Sequence, residues 1–447
     1  MEQDPGAGGS DEAQHTTLSQ PRRRAALGFI FATSLMDVTA MGIMIPVLPN
    51  LVREMIGLDH PGDTVAQVYA MTTVWTGVFA SCWGLAQFFC SPIQGMLSDR
   101  FGRRAVLLIS IFGLSIDYLF MALAPTVGWL FVGRMINGVS SASFSTAGAY
   151  ITDITAPEKR AKAFGLMGAA FGAGFVIGPA IGGALGHISL RLPFYFAASI
   201  GIVNWLYGYF ILPESLPPEK REPRFNWAKA NPFGSFKLLS KHPDLLGMGG
   251  VLLLFQMAQF VFPSIFILLV GYRYHWTPRD AGFLLMAVGI ANIVVQVVLT
   301  GPAVKRFGER GILIIGLGAG VIGMVLYALA PTGGLFLMAV PVASLFGFVG
   351  SGLQGLMTRR VEPWEQGQLQ GANSAIMGIT AITAPQVFSH IFAWSIVASG
   401  GALGWSGLKG AFIWGAPVLL AAVFTLAALI LAVRLAKPVA PQEPSPT

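Results

Sequence analysis

Charged residues are what this sequence lacks most. Among 447 residues only 11% are Asp, Glu, Lys or Arg, while 54% are hydrophobic, and the mean hydropathy is +0.65. An ordinary soluble domain carries about 25% charged residues. Most of this surface therefore cannot face water, which argues against a soluble enzyme, a secreted scaffold, a disordered chain and a nucleic-acid binder alike. Cysteine is almost missing. Cys82 and Cys90, eight residues apart on one helix, would stand about 12 Å apart, beyond disulfide reach. The chain has no H-E-x-x-H, P-loop or G-x-S-x-G, and its six histidines show no metal spacing. Gly318-Ala-Gly320-Val-Ile-Gly323 matches G-x-G-x-x-G, but it sits inside an apolar run with no strand before it and reads as helix packing. No resident cofactor or metal is expected. What is abundant, 55 Gly and 32 Phe, suits closely packed membrane helices.

Apolar runs of about 20 residues, the length that crosses ~30 Å of hydrocarbon, occur twelve times. They lie near 25–49, 73–96, 105–124, 128–150, 163–187, 192–212, 245–270, 279–302, 311–330, 335–357, 367–397 and 409–435. A β-barrel is excluded, because its strands alternate every second residue and these runs are continuous. Residues 1–24 are polar and Gly-rich and are expected to be a disordered cytoplasmic tail, with a cytoplasmic linker at 213–244 and a second tail at 436–447. Arg22-Arg23-Arg24 before an apolar run imitates a signal peptide. The run is too long and contains Asp37, so an uncleaved first span is expected.

The basic residues set the orientation. With the N-terminus inside, 22 of the 28 Lys and Arg fall on inner segments; five, Arg53, Arg191, Arg273, Arg279 and Lys409, fall on outer ones, and Arg134 lies within a span. This imbalance is a positive-inside pattern with both termini cytoplasmic. The net charge of +7 is thus a record of topology rather than a nucleic-acid footprint.

A repeat runs through the chain at one offset. Gly95, Arg100, Phe101, Gly102 and Arg104 of GMLSDRFGRR (95–104) recur as Gly301, Arg306, Phe307, Gly308 and Arg310, always 206 residues later. The same offset carries Ala122–Pro125 onto Ala328–Pro331, Pro157 onto Pro363, Gly165 onto Gly371 and Pro179 onto Pro385. The expected fold is an all-α membrane protein of twelve transmembrane helices, built as two six-helix bundles, 25–212 and 245–435, in tandem pseudo-repeat. Such halves with a site at their interface are how many secondary transporters alternate access.

Scarcity makes the buried charges informative. Of 21 acidic residues only Asp37 and Asp117 fall well inside spans, and Arg134 is the only internal base. An ionised group at mid-bilayer costs about 2.5–3.5 kcal/mol on insertion scales, so none of these is a free passenger. Asp37 and Asp117 each lie 12 residues from their inner span starts, about 18 Å along the axis. Arg134 lies six residues from its outer start, about 9 Å. These depths meet, and the third and fourth spans form a tight hairpin, so an Asp117–Arg134 pair is expected with Asp37 across the cavity. A pair that only orients helices is the plainer alternative.

These motifs carry a family resemblance. GMLSDRFGRR resembles the loop signature of the major facilitator superfamily, with its degenerate copy at 301–310. Gly174-Phe-Val-Ile-Gly178-Pro179-Ala-Ile-Gly182-Gly183 is similar to the fifth-span motif of that superfamily's drug/proton antiporters, and 130–138, LFVGRMING, to their fourth-span motif, with Asn137 where Gln is usual. MDVTAMGIMIPVLP (36–49), SIDYL (115–119), AGAYITDIT (147–155) and GLQGLMT (352–358) look like the tetracycline/proton antiporter family. The resemblance implies a proton-coupled exporter of tetracycline-like or other amphipathic drugs, a monomer of the bacterial inner membrane. Its partners would be a small-molecule substrate, protons and the lipid bilayer, with no nucleic acid. It implies proton coupling by Asp37, Asp117 and Arg134, and a cytoplasmic gate of Gly95, Ser98, Asp99, Arg100, Gly102, Arg103, Arg104 and Asp153. In that gate Asp99 would face the N-terminal end of the eleventh span near Gly367, and Asp153 would pair with one of the arginines. Lys305 stands where a second Asp99 would be, so any such latch is one-sided.

A carboxylate in low dielectric favours its protonated form; outward opening would load it, and inward opening or a cationic drug would discharge it. The second half departs from the tetracycline pattern, with Asn292 where that family has a histidine and apolar sequence near Ile322 where it has an aspartate. Recognition of tetracycline–Mg²⁺ through those two groups is therefore not expected, and coupling is expected in the N-terminal half. Asp37, Asn137, Gln256, Gln259, Asn292 and Gln296 are the candidate substrate contacts. A proton-coupled importer on the same fold is the main rival, and a membrane-embedded enzyme a remote one.

Overall fold

The computed structural model describes residues 20–59, 62–140, 143–155, 157–221, 239, 243–362, 365–398 and 407–435. Residues 1–19 of the expected tail, most of the 213–244 linker and the 436–447 tail lie outside the described residues. Among the described residues all regular structure is helical, as the interior of a bilayer demands of backbone groups that have no water to bond. Nine helical runs among them are long and apolar enough to cross a membrane.

The first eight helices are α1 Gln20–Met44, α2 Leu48–Asp59, α3 Val65–Phe101, α4 Arg103–Leu123, α5 Val127–Ser140, α6 Ser143–Ile154, α7 Pro157–Ile188 and α8 Leu192–Ile211. The run at 25–49 is interrupted: α1 stops at Met44, and Pro46 and Pro49 flank the start of α2. Proline removes a donor and pushes its predecessor out of the helical region. The later helices are α9 Pro243–Gln259, α10 Val261–Tyr274, α11 Pro278–Ile293, α12 Thr300–Leu329, α13 Gly333–Met338, α14 Val340–Ser344, α15 Phe348–Thr358, α16 Gln366–Ala398 and α17 Gly407–Leu435. A π-helical turn, Val294–Leu299, joins α11 to α12. The Thr300 hydroxyl donates to the Val295 carbonyl there at 2.9 Å.

By packing, the chain divides into two units, residues 1–44 with 89–231 and residues 45–88 with 232–447, so that α3 contributes to both. In the first, α1 lies along α7, and α4 along α8 and α5. Phe29, Ile30, Leu107, Tyr150 and Ile151 form one of its buried clusters. In the second, α12 packs on α15 and α17, and α9 on α17. There Tyr69 meets Tyr272 at a tilt with ring centres 4.9 Å apart, Tyr272 stacks on Trp414 at 4.9 Å, and the Arg53 guanidinium covers Tyr69.

Candidate functional site

Asp117 on α4 is fully buried and Arg134 on α5 nearly so. Arg134 Nη2 donates to Asp117 Oδ2 at 2.5 Å and the Asn137 amide donates to the same oxygen at 3.0 Å. Arg134 also reaches Met121 Sδ at 3.6 Å. Asp117 Oδ1 is buried and has no hydrogen-bond partner among the described residues. One carboxylate oxygen thus holds the cation and the amide, and the other has room for a proton. Gly133 makes the approach possible, since a β-carbon there would stand 2.8 Å from Asp117 Oδ1. Asp37 on α1 is also buried; the Asn204 amide of α8 donates to its Oδ1 at 3.4 Å, and the Thr33 hydroxyl donates to Asn204 Oδ1 at 3.0 Å. Tyr118, buried next to Asp117, sits in the electrostatic field of Asp37, Asp117 and Arg134 together. The expected Asp117–Arg134 pair is therefore present. Asn137 belongs to it, and Asn204 and Thr33 are partners that the search for charges passed over. An isolated Asn in the apolar stretch GIVNWLY was the available signal.

The Gly-Pro motif explains how Asp37 is held. Gly174, Gly178 and Gly182 of α7 face α1 in succession: a β-carbon at Gly174 would lie 2.9 Å from Val38 Cβ, one at Gly178 2.5 Å from the Thr39 carbonyl oxygen, and one at Gly182 against the Ile43 carbonyl. Pro179 fills the matching gap, its Cδ 2.8 Å from where a side chain at Gly42 would begin, and Gly183 is buried beside it. These contacts bracket Asp37 on its own helix. Gly178→Ala is expected to lower stability by about 1–3 kcal/mol through overpacking and to depress transport. Gly165→Ala on the same helix, where nothing stands within 4 Å, is expected to be neutral. Thermal unfolding of the two purified variants checks this; equal midpoints would contradict it.

The inner loop is a charge network. Arg103 bonds Asp99 Oδ1 at 2.5 Å, Ser98 Oγ at 2.6 Å and Asp153 Oδ2 at 3.2 Å, and the Ser215 hydroxyl donates to Asp153 at 3.1 Å. Gly95 lies on α3 with open space around it, and Arg100 covers the Phe101 ring at 5.3 Å. Gly102, at φ 104°, breaks α3 from α4 in a region that favours glycine. Glu214, which sequence reading passed over, then caps α4. Its Oε1 accepts from the amides of Arg103 at 2.8 Å, Arg104 at 3.4 Å, Ser215 at 3.0 Å and Leu216 at 3.2 Å. An anion at a helix N-terminus is favourable, and losing a cap costs about 0.5–2 kcal/mol. Glu214→Ala is expected to lower the unfolding midpoint accordingly in a detergent melt, and an unchanged midpoint would show that the cap contributes nothing.

The second copy of this loop has the same construction with charges exchanged. Gly308 also has a positive φ, 69°. The pair Arg103–Asp153 maps by the 206-residue offset onto Glu309–Arg359, which bond at 2.7 Å. Arg104 donates to the Tyr209 carbonyl near the end of α8 at 2.6 Å and Arg310 to Val433 near the end of α17 at 3.2 Å. The Ala122 carbonyl accepts from Arg191 at 2.9 Å, and its counterpart Ala328 accepts from Arg273 at 2.8 Å.

The neutral candidates lie in the second unit. Gln256 and Gln259 are on α9, and Asn292 is near the end of α11. Gln296 sits in the π-helical turn, where its amide donates to the Gly347 carbonyl at 2.9 Å and its oxygen accepts from Ser351 at 3.3 Å. Among the described residues none of the four bonds another. Gln354 accepts from Asn373 at 3.2 Å, a half-buried amide pair the sequence reading did not single out. His390 is exposed and faces the Gln386 carbonyl of its own helix at 2.8 Å. The G-x-G-x-x-G stretch packs as expected, with Gly323 against Ala343 and Gly320 against Phe346.

The Major Facilitator Superfamily model matches residues 27–385 and 251–447. The chain is 39% identical to the tetracycline resistance protein, class C, of Escherichia coli, over 88% of this chain and 94% of the relative. It is 33% identical to the class G protein of Vibrio anguillarum, over 85% and 92%. Among solved structures, the nucleoside transporter NupG superposes with a TM-score of 0.70 at 14% identity, covering 93% of this chain and all of that one; at that identity the likeness speaks for the fold.

Proposed function

This chain belongs to the major facilitator superfamily, and from that premise we propose that it expels tetracycline-like or other amphipathic drugs in exchange for protons. It is not an enzyme but a multi-pass membrane exporter of drugs. The observation that carries the proton coupling is the buried cluster of Asp117, Arg134 and Asn137, with Asp37 on Asn204, in a chain whose other span charges lie at span ends. Asp117 has one oxygen engaged and one available to a proton, so it can change charge without losing Arg134. Asp37 can do so against a neutral amide. One proton moving down 100 mV supplies about 2.3 kcal/mol, enough for roughly 50-fold concentration of a neutral substrate. No resident cofactor enters this scheme, and any Mg²⁺ would arrive with the substrate.

The architecture in this proposal is twelve spans in two six-helix bundles, both termini and the 213–244 linker in the cytoplasm of a bacterial cell, working as a monomer. The positive-inside count supports the orientation. The repeated glycine turn, the sign-exchanged ion pair and the contacts of Arg104 with the end of α8 and of Arg310 with the end of α17 support the tandem halves. A gate around Asp99, Arg103 and Asp153 would break and reform as the halves rock. The test is a susceptibility panel of tetracyclines, other antibiotics and cationic dyes in an efflux-deficient host. Resistance to some amphipathic members, lost with Asp37→Asn, is expected; unchanged susceptibility across the panel would contradict export.

A further inference from the structure

An open groove of about 750 Å³ runs between α4 and α8 in the first unit, within the ~300–1,000 Å³ typical of small-ligand sites. Its long wall is apolar and aromatic. Phe112 stands 5.4 Å from Trp205 and Trp205 stacks on Tyr209 at 5.5 Å, while Ile109 beside them is 65% exposed. One end carries Arg104 and Arg221. The carboxylate there, Glu214, offsets one of the two charges: its Oε1 accepts from the amides of Arg103, Arg104, Ser215 and Leu216, its Oε2 pairs with Arg221 at 3.8 Å, and Arg221 Nε donates to the Leu216 carbonyl at 3.2 Å. Among the described residues Arg104 gives one Nη2–H to the Tyr209 carbonyl and lies 5.7 Å over that ring; its Nε is buried with no acceptor. The groove is thus a greasy channel whose end carries two guanidinium groups against one carboxylate, one positive charge in excess.

We propose that it binds one anionic phospholipid, with the phosphate at Arg104 and Arg221 and an acyl chain along Ile109, Phe112 and Trp205. Arginine matches phosphate oxygens, and the aromatic rings suit the interface between headgroup and chain. A free phosphate would leave the apolar wall uncovered, and a zwitterionic lipid would leave the positive end unbalanced. Placing the lipid in the inner leaflet rests on the orientation proposed above; the binding itself does not depend on export.

The experiment is mass spectrometry of the intact, purified full-length protein in detergent with equimolar phosphatidylglycerol and phosphatidylcholine. Wild type is expected to retain one phosphatidylglycerol in about tenfold preference. The double variant Arg104→Gln, Arg221→Gln should lose that preference. Ile109→Trp, which fills the groove and leaves both arginines and the α4 cap in place, should lose it too, whereas Val423→Trp, at an exposed position of the second unit, should not. Equal retention of the two lipids, or full preference in Ile109→Trp, would overturn the proposal. Displacement of the lipid by glycerol 3-phosphate at equal concentration would mean that a soluble anion suffices, and would overturn the lipid assignment.

Discussion

Asp37→Asn is expected to bind drug and fail to pump it. The replacement keeps the shape and the hydrogen bond available to Asn204, which donates to Asp37 at 3.4 Å, and keeps the α1–α7 seam that places the residue. It removes the ability to gain and lose a proton. A cycle that moves one proton per substrate can build roughly a 50-fold gradient per 100 mV; without that proton the ratio should fall to about one. Drug binding to the purified variant and exchange of labelled for unlabelled drug across a membrane should persist, because neither needs a proton. The two assays together separate a coupling residue from a merely structural one. Proton-driven accumulation at the wild-type level in Asp37→Asn would remove Asp37 from the mechanism.

Arg134→Gln is expected to be the more damaging change to the protein itself. It leaves Asp117, fully buried, with only the Asn137 amide at 3.0 Å in place of a guanidinium at 2.5 Å. Removing one partner of a buried ion pair costs about 3–5 kcal/mol, whereas replacing both partners together is often nearly neutral. Arg134→Gln should therefore reduce the amount of folded protein in the membrane and lower its unfolding midpoint sharply. Adding Asp117→Asn should restore much of that stability without restoring coupled transport. Fluorescence-detected size exclusion after heating reads the first outcome and vesicle uptake the second. A single variant as stable as wild type would show that the pair contributes little. A double variant that pumps normally would show that the pair only orients helices.

The charges were the most legible part of the sequence, because a bilayer makes each one expensive. Rarity alone singled out Asp37, Asp117 and Arg134, and depth along the spans brought Asp117 and Arg134 to a common level. Neutral polar residues carry a smaller penalty, which a single hydrogen bond offsets, so Asn204 and the Gln354–Asn373 pair were invisible to the same argument. Glu214 was obscured differently. It lies just past α8, in a segment where basic residues outnumber acidic ones, and its role depends on a fold that brings it 111 residues back to the α4 N-terminus. The Glu309–Arg359 pair could have been read from the repeat, since Arg103 and Asp153 map onto it with both signs reversed. An exchange of signs preserves the attraction while leaving no identical residues. In the fold, hydropathy located the apolar runs but not their interruptions. Pro46 and Pro49 divide the first run. The tenth is divided near Pro341 into Gly333–Met338, Val340–Ser344 and Phe348–Thr358, with a short 3-10 turn at Leu345–Gly347. Pro92, Pro179, Pro385 and Pro417, by contrast, stay inside continuous helices. Whether a proline breaks or bends a helix depends on neighbours that can re-satisfy the freed carbonyl, and a single sequence does not display those neighbours.

Proton-coupled export is tested most directly in everted membrane vesicles with an imposed inside-acid pH gradient, using the drug to which the susceptibility panel shows the strongest resistance. The measured quantity is the ratio of drug inside to outside at steady state, with and without a protonophore. The ratio should rise well above one and fall back to one when the protonophore is added. A ratio that stays at one in the presence of the gradient, or one that survives the protonophore, would contradict the account.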